Sequence, residues 1–176
     1  MTDHVEDKNS SVLFWLNTAR LLFIGMWFGA AVFFSFSLAP SVFAVLPSRE
    51  LAGAVVQRNL TVINLAAFWI GILGLMLSVP SRRWLAGILG WIELALIAIM
   101  TAAGAIGHWV IAARLRGLRE QMDRPIDLVA ATDPIRVTFN QLHGYSVTVL
   151  TIGMVAALAA WLLIARQTRI TTNRAS

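Results

Sequence analysis

Long apolar runs alternate with short polar breaks along the chain. Leu21 to Ala39 contains no charged residue, and Leu13 to Arg20 extends it on the N-terminal side. Leu60 to Val79 again has none, Leu85 to Gly107 holds only Glu93, and Gly144 to Ala165 has none. A helix needs about 20 mostly apolar residues to cross a hydrocarbon core of ~30 Å. Hydrocarbon offers no hydrogen-bond partner to the backbone, so each run must satisfy its own N–H and C=O groups as a helix. The pattern predicts an all-α fold: an integral membrane four-helix transmembrane bundle. Its helices are expected at 13–39, 48–79, 84–122 and 134–165, within a domain covering 13–166 and between polar tails at 1–12 and 167–176.

The punctuation supports these boundaries. Pro40 is expected to stop the first helix, with Pro47 in the connection after it, and Pro80-Ser81-Arg82-Arg83 reads as a tight turn. Asp133-Pro134 reads as an N-cap followed by proline at the first helical position. Trp84, Trp109 and Trp161 fall near span ends, where an interfacial aromatic belt belongs. The third helix is expected to outrun the membrane through Arg114, Arg116 and Arg119, reaching roughly 58 Å at 1.5 Å per residue.

Composition strengthens the membrane reading. The 176 residues are 58% hydrophobic and 13% charged, against roughly 25% charged in soluble domains. The net charge is +5, from 13 Arg and one Lys. The basic residues flank the apolar runs, so lipid headgroups explain them better than nucleic acid. Asp3, Glu6 and Asp7 precede the first run, unlike a basic signal-peptide leader, so that run is expected to be retained. With no cysteine, disulfides and thiolate metal sites are excluded.

Four spans place both termini on one side. That side carries six cations (Lys8, Arg82, Arg83, Arg166, Arg169, Arg174) against seven on the other (Arg49, Arg58, Arg114, Arg116, Arg119, Arg124, Arg136). The totals are balanced, but Arg82 and Arg83 occupy the shortest loop, where the positive-inside rule acts most strongly. The termini are therefore expected to be cytoplasmic, in a bacterial cytoplasmic membrane.

Ionisable groups inside a span need a partner or a purpose. Arg20 and Glu93 enter from the same side to similar depths, about 10 and 13 Å along their helices. An ion pair between them is expected, with Asn17 on the Arg20 face; the alternative has Arg20 snorkelling and Glu93 protonated or locally bonded. A second polar set is expected at the opposite end: His108, Arg114, Asp133, Arg136, Asn140 and His143, joined by Gln57, Arg58 and Asn59. Two histidines near one level admit a haem or metal reading. Against it, one His on each of two helices is a thin ligand set, and Met26, Met100 and Met154 are scattered like core filler. Asn64, mid-helix, is expected to make an interhelical hydrogen bond or to line a cavity. Gly25/Gly29, Gly71/Gly74, Gly87/Gly90 and Gly104/Gly107 permit close helix approach within the monomer.

No P-loop, GxGxxG, HExxH or GxSxG is present, and no lysine lies in a span to hold retinal. No catalytic residue and no cofactor is required by the sequence.

Two blocks carry a family resemblance. One is Gly25-Met26-Trp27-Phe28-Gly29 with Leu38-Ala39-Pro40-Ser41-Val42-Phe43, Leu46-Pro47 and Leu51-Ala52-Gly53. The other is Asp133-Pro134 with Arg136, Phe139, Leu142-His143-Gly144 and Ser146. Together they resemble the transmembrane-protein-205-like family. The resemblance implies a four-span bundle and suggests export or trafficking. Gln57-Arg58-Asn59-Leu60-Thr61 departs from the aromatic and proline residues often found there in that family.

Three functions are expected to compete. The first is an accessory or assembly subunit of a membrane complex, with lipids, other subunits or a second copy as partners and with Trp15, Trp27, Phe33, Phe34 and Trp69 as possible contact faces. The second is an efflux or transport component with a wet cavity reaching Asn64 or Glu93. The third is a redox protein using His108 and His143.

Overall fold

The computed structural model describes residues 3–79, 87–122 and 124–175, with side chains described over 11–79, 87–122, 124–126 and 128–168. Pro80, Ser81, Arg82, Arg83 and Trp84, read above as a turn and a belt residue, lie outside the described residues. Four helical stretches are long and apolar enough to cross a membrane: Ser11–Val45, Arg49–Ser78, Ile88–Gln121 and Pro134–Thr168. The chain is an all-α, multi-pass integral membrane protein.

The first span is α1 (Asp3–Phe33), a π-helical segment (Phe34–Leu38) and α2 (Ala39–Val45). Pro40 therefore does not end the helix, contrary to the expected boundary at residue 39. A proline inside an α-helix lacks its N–H and clashes with the carbonyl four residues back. Here the turn before it widens: the Ala39 N–H reaches back five residues to Phe34 O, and Pro40 enters at the start of the next α segment. The stop comes later. Leu46 precedes Pro47, which disfavours the helical region for Leu46, and Leu46 is extended at φ −76°, ψ 141°.

Ser48 caps α3 (Arg49–Ser78), its hydroxyl accepting from Leu51 N at 3.2 Å. Gly87 takes φ 129°, a conformation that favours glycine, just before α4 (Ile88–Ala105). The third span continues through a second π segment (Ile106–Ile111) into α5 (Ala112–Gln121). A 3-10 turn (Ile126–Leu128) leads to α6 (Pro134–Ala175). Asp133 Oδ1 accepts from Ile135 N at 2.8 Å at the start of α6. The fourth helix does not end at 165. Residues 154–175 contain neither Gly nor Pro, so nothing breaks the helix, and most of the expected C-terminal tail is helical.

Each span packs on the next, and the fourth closes on the first. Glycines set the closest approach between spans 2 and 3: a Cβ on Gly71 would collide with Thr101, and one on Gly104 would lie 2.6 Å from Asn64 O. Trp27 Nε1 donates to Ile63 O at 2.9 Å in the buried core. Trp161 Nε1 donates to Leu21 O at 3.1 Å, and a Cβ on Gly25 would lie 3.0 Å from that nitrogen. Trp161 is thus an internal strut between spans 1 and 4. The core itself is apolar, centred on Ile24, Trp27, Ile97, Met100, Ala160 and Ile164.

Candidate functional site

Two polar centres stand at opposite ends of the bundle. At the end nearer the termini, Arg20 of α1 and Glu93 of α4 form an ion pair with neither side chain exposed. Arg20 Nη1 also donates to Asn17 Oδ1 at 3.2 Å, one helical turn away. Gln167 of α6 donates to Glu93 Oε2 at 2.8 Å. Both carboxylate oxygens are therefore occupied, and three spans are tied at one level. An isolated charge in this setting would be strongly unfavourable, and mutual neutralisation offsets part of its desolvation. Gln167 was not recognisable from the sequence, where it falls after the last apolar run.

At the other end, the loop before α6 and the starts of α3 and α6 frame a basic cavity of about 220 Å³. Arg49, Arg119, Arg136, Gln57, Asn140 and His143 supply its polar wall. Arg136 Nη1 donates to Val129 O, which braces the side chain against the loop. The Arg119 guanidinium lies 5.6 Å from the Phe139 ring centroid, in range of a cation–π contact. Gly53 makes room for it: a Cβ there would lie 3.2 Å from Arg119 Nη2. Gln57 Nε2 is buried and has no hydrogen-bond partner.

A second cavity, about 320 Å³, adjoins the first and shares Phe43, Val56, Leu60 and His143 with it. It lies between the π segment and α2 of span 1 and the first half of span 4. Phe36, Val147, Leu150 and Met154 give it an apolar lining. The π segment has a direct role here, because Phe34, Ser35 and Phe36 belong to this wall. Sequence reading gave no sign of the π turn.

The expected polar hub divides. Arg136, Asn140 and His143 meet around the basic cavity, whereas Asp133 caps α6 and borders a separate surface cavity with Arg124 and Ile135. Arg114 is exposed and lines none of these cavities. Asn59 turns to its own helix, donating to Val55 O at 2.9 Å, and Arg58 is exposed. His108 lies in the second π segment, edge-on to Trp109 with centroids 4.9 Å apart, and its Nδ1 is buried without a partner.

Its neighbours Gly107 and Trp109 face Asn64 and Phe68 of α3, whereas His143 borders Val56 and Leu60. Four to twelve residues of α3 separate those levels, roughly 6–18 Å along the helix. The two histidines therefore sit at different depths. Among the described residues, no group of three or more His, Cys, Asp or Glu is placed to hold a metal ion.

Asn64 is 4% exposed. A Cβ on Gly107 would lie 2.7 Å from its Nδ2, so the amide is packed against the third span. Trp27 and Phe34, expected above to be contact faces, are core residues at 3% and 6% exposure. Trp15, Phe33 and Trp69 do face outward.

Comparison with known proteins adds a family without a function. No curated protein matches the chain, and no solved structure does. A match to a domain of unknown function, DUF4149, covers residues 22–124. It takes in the Gly25–Gly53 block and stops short of the Asp133–Ser146 block, and nothing in it points to the transmembrane-protein-205-like family. With more than half of its length matched, the chain belongs to the DUF4149 family.

Proposed function

We propose that this protein is a non-enzymatic accessory or assembly subunit of a larger membrane complex. The observation that carries this reading is the close packing at Glu93 and Asn64. Glu93 is fully buried and bonded by Arg20 and Gln167, and Asn64 is packed against Gly107. Those are the two residues that a transport pathway was expected to wet. With both of those positions packed, the bundle acts through its outer faces, where Trp15, Phe33 and Trp69 stand 61–69% exposed.

The reading places the chain in a bacterial cytoplasmic membrane with its termini in the cytoplasm, as Arg82 and Arg83 favour. A kinship with the transmembrane-protein-205-like family, and with it a part in export or trafficking, rests on the two residue blocks quoted above. A family of unknown function supplies no activity, so function must come from the site.

Affinity purification of the full chain from its native membrane in a mild detergent tests the proposal. Stoichiometric co-purifying membrane chains are expected. A lone monomer, or vesicles in which Asn64→Leu and Glu93→Gln abolish a solute flux, would overturn it.

A further inference from the structure

We infer that the two adjoining cavities between spans 1 and 4 hold one anionic phospholipid, its phosphate against Arg119 and Arg136 and one acyl chain along α6. Three independent observations converge on this amphiphile.

The first is charge. Arg49, Arg119 and Arg136 wall the polar cavity, and among the described residues no carboxylate lines it. Among the described residues, the neighbouring surface cavity has Glu50 beside Arg49, Arg119 and Arg124. A guanidinium carries five N–H donors in a planar fork suited to phosphate oxygens. Arg136 commits one of its donors to Val129 O, which orients the group and leaves others for a ligand.

The second is an orphan donor. Gln57 Nε2 is buried at the wall of this cavity with no acceptor. Buried polar groups of folded proteins are almost always paired. A turn of the Gln57 amide about its terminal torsion would bring Nε2 to the cavity, where a phosphate or glycerol-ester oxygen would supply the missing acceptor.

The third is length and direction. The basic cavity adjoins the apolar one, and Phe43, Val56, Leu60 and His143 border both. Along α6 the apolar wall runs from His143 to Met154, roughly 16 Å at 1.5 Å per residue. Half of a ~30 Å hydrocarbon core is about 15 Å. The groove thus matches one leaflet, with its arginines at the headgroup level and its apolar wall ending near the midplane. A free anion would fill the upper cavity only, and a neutral lipid would bring no net charge to Arg119 and Arg136.

The test uses the full chain in a neutral detergent, loaded with phosphatidylglycerol or phosphatidylcholine and read by native mass spectrometry. One phosphatidylglycerol per chain is expected to survive exchange, with at least a tenfold preference over phosphatidylcholine. The double variant Arg119→Gln/Arg136→Gln should remove that preference. Val147→Trp starts from an exposed wall position; it should fill the apolar cavity and lower phosphatidylglycerol retention about tenfold.

Equal retention of the two lipids overturns the inference, as does a preference unchanged in the double variant. Displacement of the lipid by millimolar inorganic phosphate would assign the arginines to a free anion and overturn it too. Should the double variant fail to fold, Val147→Trp decides, and unchanged retention in it overturns the inference.

Discussion

Arg20 and Glu93 come from spans one and three and meet with no side-chain surface left in contact with the surroundings. Removing one partner strands the other charge in a low-dielectric interior, at a cost of about 3–5 kcal/mol. Glu93→Leu and Arg20→Met are each expected to destabilise by that order. The double variant should recover most of the loss, because two apolar side chains replace two charges. Unfolding in detergent, run as a double-mutant cycle, measures the coupling. Additive effects of the two substitutions would show that the pair is not the energetic unit described here.

Glycine contacts make a second, sharply graded prediction. Gly71→Ala puts a Cβ into Thr101, so a loss of about 1–3 kcal/mol is expected. Thr101→Ala in the same chain should relieve only part of it, because it removes Oγ1 but leaves Cβ at 3.0 Å and Cα at 3.2 Å from the new methyl. Gly29, by contrast, has no atom within 4 Å of where its Cβ would sit. Gly29→Ala is expected to change stability by no more than about 0.5 kcal/mol. The two glycines of the Gly25–Gly29 motif thus differ: Gly25 rests on Trp161, and among the described residues no other helix comes within 4 Å of a Cβ on Gly29. Thermal unfolding of the three variants side by side checks the ranking, and a Gly29→Ala loss as large as that of Gly71→Ala would refute it.

The histidines give a third. His143 borders the lateral groove and His108 packs beside Trp109 at the level of Asn64. Their levels differ by roughly 6–18 Å along α3, which counts against one haem or copper ion taking both as ligands. Protein purified from haem- and metal-replete cells is expected to show no Soret band and no stoichiometric metal. His108→Ala and His143→Ala should leave metal analysis unchanged. A visible band lost in either variant would restore the redox reading.

Hydrophobic patterning made the four spans and the all-α class legible, because hydrocarbon leaves a backbone one way to satisfy itself across these lengths. Matched depths, counted from span entry, also pointed to Arg20 beside Glu93. Three things were not legible. The π turn at Phe34–Leu38 depends on how a helix absorbs Pro40, which is settled by backbone registers rather than residue type. Gln167 looked like tail because its helix continues on propensity after hydrophobicity ends. The polar hub was over-gathered, since one membrane face does not mean one side of the bundle: Arg136, Asn140 and His143 point to the groove, and Asp133 is consumed as a cap.

Orientation supplies the last prediction. Balanced cation totals decide nothing, so the direction rests on Arg82 and Arg83 in a short connection, where positive charge resists translocation most. The chain has no cysteine, which makes single-cysteine labelling clean. Ala131→Cys, exposed in the loop before α6, should react with an impermeant maleimide on intact spheroplasts. Ser176→Cys should react only after the membrane is opened. The reverse result would turn the protein over and put the basic cavity, with its arginines, against the cytoplasmic leaflet, where anionic headgroups draw cations most strongly. Labelling of both positions from one side would contradict the fourth crossing, because the last span alone separates the loop before it from the C-terminus.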